Sequence, residues 1–171
     1  SLVPKLSKVA KKIMIEEQER YKYVEIGDVT SYGLITRYIE GTFDELPTRG
    51  EYQVKTGDIL LALNNSSRGT VVRVPEEFDG MICTSGFLVI RPANEEEGLL
   101  LWYCLRSDIC KKQIYYLAQT ASQPELKIDS WNKYFKIPFP TKTERSEFVR
   151  KAKSAFEYMR KLSDINNERF I

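Results

Sequence analysis

Histidine is absent from all 171 residues. Without it there is no Ser-His-Asp triad, no His-activated cysteine and none of the common His-ligated zinc enzymes. Cysteine is scarce. Cys83, Cys104 and Cys110 form neither an even disulfide framework nor a close ligand pair, and read as small buried hydrophobes in a reducing compartment. No apolar run approaches the length of a membrane span, and Leu99–Tyr103 falls far short of it. No glycine-rich cofactor loop follows a strand, and no Asn-Pro-Pro-aromatic or Asp-Pro-Pro-aromatic segment is there to hold an extruded adenine. The first residues lack the apolar core of a secretion signal, so a cytoplasmic location is expected, with no membrane partner and no cofactor.

What remains is ordinary in composition, 42% hydrophobic and 29% charged, and long enough to bury one core. The net charge of +2 is spread unevenly. Residues 40–97 carry 5 basic and 11 acidic side chains, whereas residues 106–171 carry 14 basic and 8 acidic. A nucleic-acid partner would meet selected basic patches and not a uniformly basic body.

The stretch from Tyr52 to Val74 organises the chain. Lys55-Thr-Gly-Asp58 is a turn signal. Ile59-Leu-Leu-Ala-Leu63 is an apolar run of strand length, which predicts burial on both faces. Asn64-Asn-Ser-Ser-Arg-Gly69 interrupts it with amides, hydroxyls and a guanidinium before the β-branched strand Thr70–Val74. Asn offers the donor–acceptor pair that matches adenine, and Arg grips guanine or phosphate with two parallel bonds. The same loop would also serve as a plain polar connection.

On either side the pattern alternates between turn and short element. A helix with the narrow apolar stripe Leu6, Val9, Ile13 is predicted over 4–20 as a linker. Tyr21–Val29 reads as a strand ending in Gly27-Asp28, and residues 30–51 read as short strands and loops with Arg37 and Arg49 exposed. Pro75–Gly80 is a loop, Met81–Ile90 one strand, Asn94–Gly98 an acidic turn, and Leu99–Leu117 one helix with Leu101, Cys104, Leu105, Ile109 and Ile114 inward. Residues 118–130 form a second polar segment, in which Gln119, Thr120, Ser122, Gln123 and Lys127 carry groups suited to bases or phosphates.

The last helix has the clearest local signal. Thr141-Lys-Thr-Glu144 fits a capping box, and Phe148, Ala152, Ala155, Met159 and Leu162 follow at heptad spacing. A seam of about two heptads is too short to stand alone, so it needs another helix. The candidates are the 4–20 helix, a second copy of the chain, or the chain's own domain.

Several of these segments, in this order, resemble a known family. Tyr23-Val-Glu-Ile-Gly-Asp-Val29, Val54-Lys-Thr-Gly-Asp-Ile-Leu60, Arg68-Gly69, Ser85-Gly-Phe-Leu-Val-Ile-Arg-Pro92 and Ile137-Pro-Phe-Pro140 with its Glu-containing helix are similar to the target-recognition domain of Type I restriction–modification DNA specificity subunits. The similarity runs over about residues 21–162. Two positions depart from the pattern. Arg145 stands after Glu144 where the family usually has Gln, and Thr120-Ala-Ser122 stands where a Gly-Ser pair is common.

The resemblance implies an α+β fold: an irregular β-rich recognition domain (21–140) with mixed helices, after a linker helix (1–20) and before a long coiled-coil-type C-terminal spacer and assembly helix (141–171). It further implies a non-catalytic module that reads one half of a split sequence in double-stranded DNA and works with an adenine-specific methyltransferase subunit or domain. A restriction subunit is a further partner, and homodimerisation through the last helix another assembly route. Family members commonly carry two such domains. With one, the chain is expected to be a half-subunit or the recognition tail of a longer adenine-specific DNA methyltransferase.

The residues proposed to meet DNA are Asn64, Asn65, Ser66, Arg68, Arg49, Gln123 and Lys127. Two other functions compete. Glu125-Leu-Lys127 has the carboxylate-x-lysine spacing of magnesium-dependent endonucleases, with Asp108 as a second ligand. The chain could also be a protein-interaction module acting through its terminal helices. Salt-dependent DNA binding separates that module from a DNA reader.

Overall fold

The apolar run that opens at Ile59 lies at the centre of the molecule. A computed structural model describes residues 19–62, 70–118 and 133–168. Within them seven strands form two sheets. The first orders β2 (Ile39–Thr42), β1 (Arg20–Val24), β6 (Ile82–Thr84) and β3 (Gly50–Gln53), with β1 and β6 parallel and the other pairs antiparallel. The second is antiparallel: β5 (Val71–Arg73), β4 (Ile59–Ala62) and β7 (Phe87–Ile90). Three α-helices follow: α1 (Glu95–Leu105), α2 (Asp108–Ala118) and α3 (Arg145–Glu168). The class is α+β, as expected, and the long last helix is present.

Successive strand side chains point to opposite faces, so a strand that is apolar throughout must be covered twice. In β4 this happens residue by residue. Ile59 and Leu61 join Leu88, Ile90, Leu101 and Trp102 on the helix side. Leu60 and Ala62 join Val24, Val54, Phe87 and Val89 between the sheets. All four β4 residues are fully buried. A third cluster, Tyr21, Tyr23, Leu46 and Ile82, packs on the other face of the four-stranded sheet.

Helix α1 is buried nearly all round, from Gly98 to Trp102 and again at Cys104 and Leu105. That burial explains its weak amphipathic pattern. Each large side chain so buried contributes about 2 kcal/mol. The three cysteines are buried and unpaired, as their scarcity predicts. Burial pushes the Cys104 thiol up to about 11 and raises Cys83 and Cys110 as well.

Six sequence expectations are corrected or refined. The segment 81–90 is two strands, because the turn at Ser85-Gly86 carries the chain from one sheet to the other. Asn94–Gly98 is no loose acidic turn but the start of α1, where the Asn94 side chain accepts from the Glu97 N–H and Glu97 accepts from the Ala93 N–H. The helix predicted over 99–117 breaks at Arg106-Ser107, and the Ser107 hydroxyl accepts from the Cys110 N–H to start α2 in a new phase. That phase turns Cys110 and Ile114 inward and leaves Ile109, expected inside, 61% exposed. Pro75–Gly80 contains a 3-10 turn at Glu76–Phe78. Arg20, assigned to the N-terminal helix, begins β1, while residues 1–18 lie outside the described residues.

The last helix begins as its sequence predicts, with the Glu144 carboxylate accepting from the Thr141 N–H. Its seam then meets α1. Phe156 stands edge-on to Trp102 at 5.3 Å, Phe148 edge-on to Tyr103 at 6.3 Å, and Ala152 is fully buried. Ala155 and Met159 pack on the same cluster, while Leu162 is 40% exposed. The chain's own domain therefore takes most of the seam.

Candidate nucleic-acid interface

The loop after β4 leaves and returns through a closed strand pair. Leu61 pairs with Val71, and the Ala62 N–H donates to the Thr70 carbonyl at 3.0 Å. Asn64, Asn65, Ser66 and Arg68 themselves lie outside the described residues. On its other side Ala62 pairs with Phe87, one residue past the Ser85-Gly86 turn. That turn is tied to Arg49, because the Ser85 N–H donates to the Arg49 carbonyl at 3.3 Å.

The β4–β7 register thus brings Arg49 to the end of the molecule from which the 63–69 loop departs. The Gly50 N–H closes a turn onto the Pro47 carbonyl just before β3, and a Cβ at Gly50 would stand 2.9 Å from Ile82. Arg49 is exposed beside an open hollow of about 430 Å³. Glu25, Gly27, Thr84, Ser85 and Gly86 line it with small, polar or backbone groups.

The second polar segment is rooted on α2. Gln123, Lys127 and Glu125 lie outside the described residues, and the chain is described again from residue 133. There it runs back beside α2. The Gln113 amide donates to the Lys136 carbonyl and accepts from its N–H, both at 2.8 Å. Phe135 is fully buried. It shares one hydrophobic cluster with Ile114 of α2 and with Leu61 and Val71, which flank the first loop. Both polar segments therefore spring from the same core.

Sequence reasoning passed over the residues around that second root. Lys111, Lys112, Tyr115 and Tyr116 form the outer face of α2, and Lys133, Tyr134 and Lys136 flank it, all exposed. The available signal was a lysine doublet four residues before a tyrosine doublet, which puts all four side chains on one helical face.

The opposite end of β4 is built differently. Asp58 is 2% exposed and accepts from the Lys55 N–H at 2.9 Å and from Arg91 Nε and Nη2 at 2.9 and 2.7 Å. These bonds raise the Arg91 pKa. Arg73 lies over the Phe156 ring at 4.8 Å, 4.0 Å from Glu95, and burial lowers its pKa. Arg160 reaches Glu77 at 3.4 Å. These cations are matched locally and knit β5, α1 and α3 together.

The comparisons with known proteins agree with this architecture. No protein-family model matches the chain, and no curated protein does. Among solved structures, the HsdS subunit from Thermoanaerobacter tengcongensis is similar over 89% of the chain, with a TM-score of 0.66 and 28% sequence identity. This is the fold of an HsdS target-recognition domain.

A second solved chain, from a structure on complex assembly and conformational transition of the type I R-M system, is similar over 90% of the chain with the same TM-score and identity. The chain spans 40% of the length of each of these two proteins. The HsdS-type likeness thus takes in most of the chain.

Proposed function

We propose that the chain recognises a specific sequence in duplex DNA as the specificity module of a type I restriction–modification methyltransferase complex, without chemistry of its own. One observation carries this reading: nearly the whole chain follows the fold of an HsdS subunit. The loop roots fit it, since the strands on either side of residues 63–69 are buried and paired with each other.

In this proposal Asn64 and Asn65 match adenine edges, Ser66 adds a hydroxyl contact, and Arg68 bonds guanine. Gln123 and Lys127 meet bases or backbone from the second segment. Arg49, exposed at the end where the first loop begins, takes a phosphate or a guanine beside it. An adenine-specific methyltransferase subunit or domain supplies the reaction, and a restriction subunit can join the same assembly. Self-association through the last helix would use Leu162 and the turns after it, because Phe148 to Met159 lie against the domain.

Selection of bound sequences from random duplexes, with and without a methyltransferase partner, tests this directly. A single enriched half-site is the expected result, and enrichment of none overturns the reading. On the selected duplex, Arg68→Ala should lower affinity about tenfold or more while changing binding to a scrambled duplex far less. Equal losses on both would make Arg68 a phosphate contact.

A further inference from the structure

We propose that the outer face of α2, together with the chain that returns beside it, grips the sugar–phosphate backbone of the duplex next to the bases read by the loops. This rests on the DNA-reading function proposed above and adds the surface that holds the duplex in register.

Lys111, Lys112, Lys133 and Lys136 are all exposed, and none forms an ion pair with a described carboxylate. Elsewhere on the described surface some cations are paired and others, Lys55, Lys142, Lys153 and Lys161 among them, are not; what sets this face apart is that its four lysines share one short helix and the chain beside it. Arg20, Arg37, Arg91, Arg145, Lys151 and Arg160 each stand within 4 Å of an acid. On α2 the sole acid is Asp108, in its first turn. Among the described residues of this face, four lysines without an ion pair stand against one carboxylate, a local excess of positive charge that suits a polyanion.

Three tyrosines stand among these lysines. Tyr115, Tyr116 and Tyr134 are 52%, 67% and 55% exposed. Tyr115 and Tyr116 meet edge to face at 5.7 Å, and the Lys133 ammonium lies 5.1 Å from the centre of the Tyr134 ring. Large amphipathic rings exposed beside cations fit a deoxyribose edge, and the hydroxyls of Tyr116 and Tyr134 can donate to phosphate.

The strip is rigid and correctly placed. The two Gln113 bonds to Lys136 and the buried Phe135 ring fix the returning chain against α2. The segment that carries Gln123 and Lys127 leaves from one part of the strip and comes back at another. The 11 residues of α2 span about 16 Å. A DNA strand presents about five phosphates over that length.

The test is the salt dependence of duplex binding by the full chain. One variant carries K111Q, K112Q, K133Q and K136Q. A control carries K55Q, K142Q, K153Q and K161Q, which removes the same charge from exposed positions elsewhere. Because each neutralised phosphate contributes about 0.9 to the slope of log affinity against log salt, the strip variant should lose about 3.6 from that slope if each lysine meets one phosphate. It should also weaken preferred and scrambled duplexes alike, with the control close to wild type. If wild type binds steeply and the strip variant keeps its slope, or if the control loses as much, the strip is not the backbone contact. If wild type shows no salt-dependent binding, the DNA-reading function itself fails, and the strip is left to a protein partner.

Discussion

Two aspartates that each close a Gly-Asp turn show what burial does to one side chain. In Glu25-Ile-Gly-Asp28 and Lys55-Thr-Gly-Asp58 the carboxylate reaches back three residues to a backbone N–H, at 2.9 Å in both. Each then meets an arginine. Arg37 stands 3.5 Å from Asp28 and is 72% exposed, whereas Arg91 makes two bonds to an Asp58 that is 2% exposed. Water screens the first pair and not the acid of the second. Asp58→Asn should therefore cost about 3 kcal/mol, and Asp28→Asn about 1 kcal/mol or less, in urea unfolding. Equal losses would show that the turn bond and not burial decides the difference. The repeated Gly-Asp turn was legible in the sequence. That only the second would be sealed against an arginine 33 positions away was not, because the pairing depends on β4 lying beside β7.

Among the elements, the last helix separates what periodicity reveals from what it leaves open. A heptad seam says that a face is buried and says nothing of what buries it. Here Ala155, Phe156 and Met159 pack on the chain's own core, Ala152 is fully buried and Phe148 meets Tyr103 of α1, while the Arg73 guanidinium lies over Phe156. Phe156→Ala removes a half-buried ring with both partners and should cost about 2–3 kcal/mol. Leu162→Ala, at a position 40% exposed, should change stability by less than about 0.5 kcal/mol. Thermal unfolding followed by circular dichroism checks both. A large, concentration-dependent loss in Leu162→Ala would instead mean that a second copy covers the end of the helix. The same limit explains the two split elements. Period alone carried one strand through Ser85-Gly86 and one helix through Arg106-Ser107, since apolar residues resume after each polar triplet, Thr84-Ser-Gly86 and Arg106-Ser-Asp108.

At the scale of the whole molecule, strand register gives the two ends of β4 different surroundings. One end is closed by Asp58, Arg91 and the cations facing α3; the other carries Arg49 and the mouth of the 63–69 loop. Under the proposed function, stability and recognition would then be separable. Composition could not show this, because net charge and loop polarity say nothing of which end of a sheet they occupy. Replacing residues 63–69 by seven glycines and serines keeps the loop length, so closure costs little more than before. The Ala62–Thr70 bond and the buried pairs Leu61–Val71 and Leu60–Val72 lie outside the replacement. Urea unfolding should shift by no more than about 1 kcal/mol. Salt-dependent binding to duplex DNA should persist through the α2 lysines, while the preference for the selected half-site is lost. A replacement that unfolds the chain would mean the loop is part of the core, and one that keeps the preference would move base reading to the second segment.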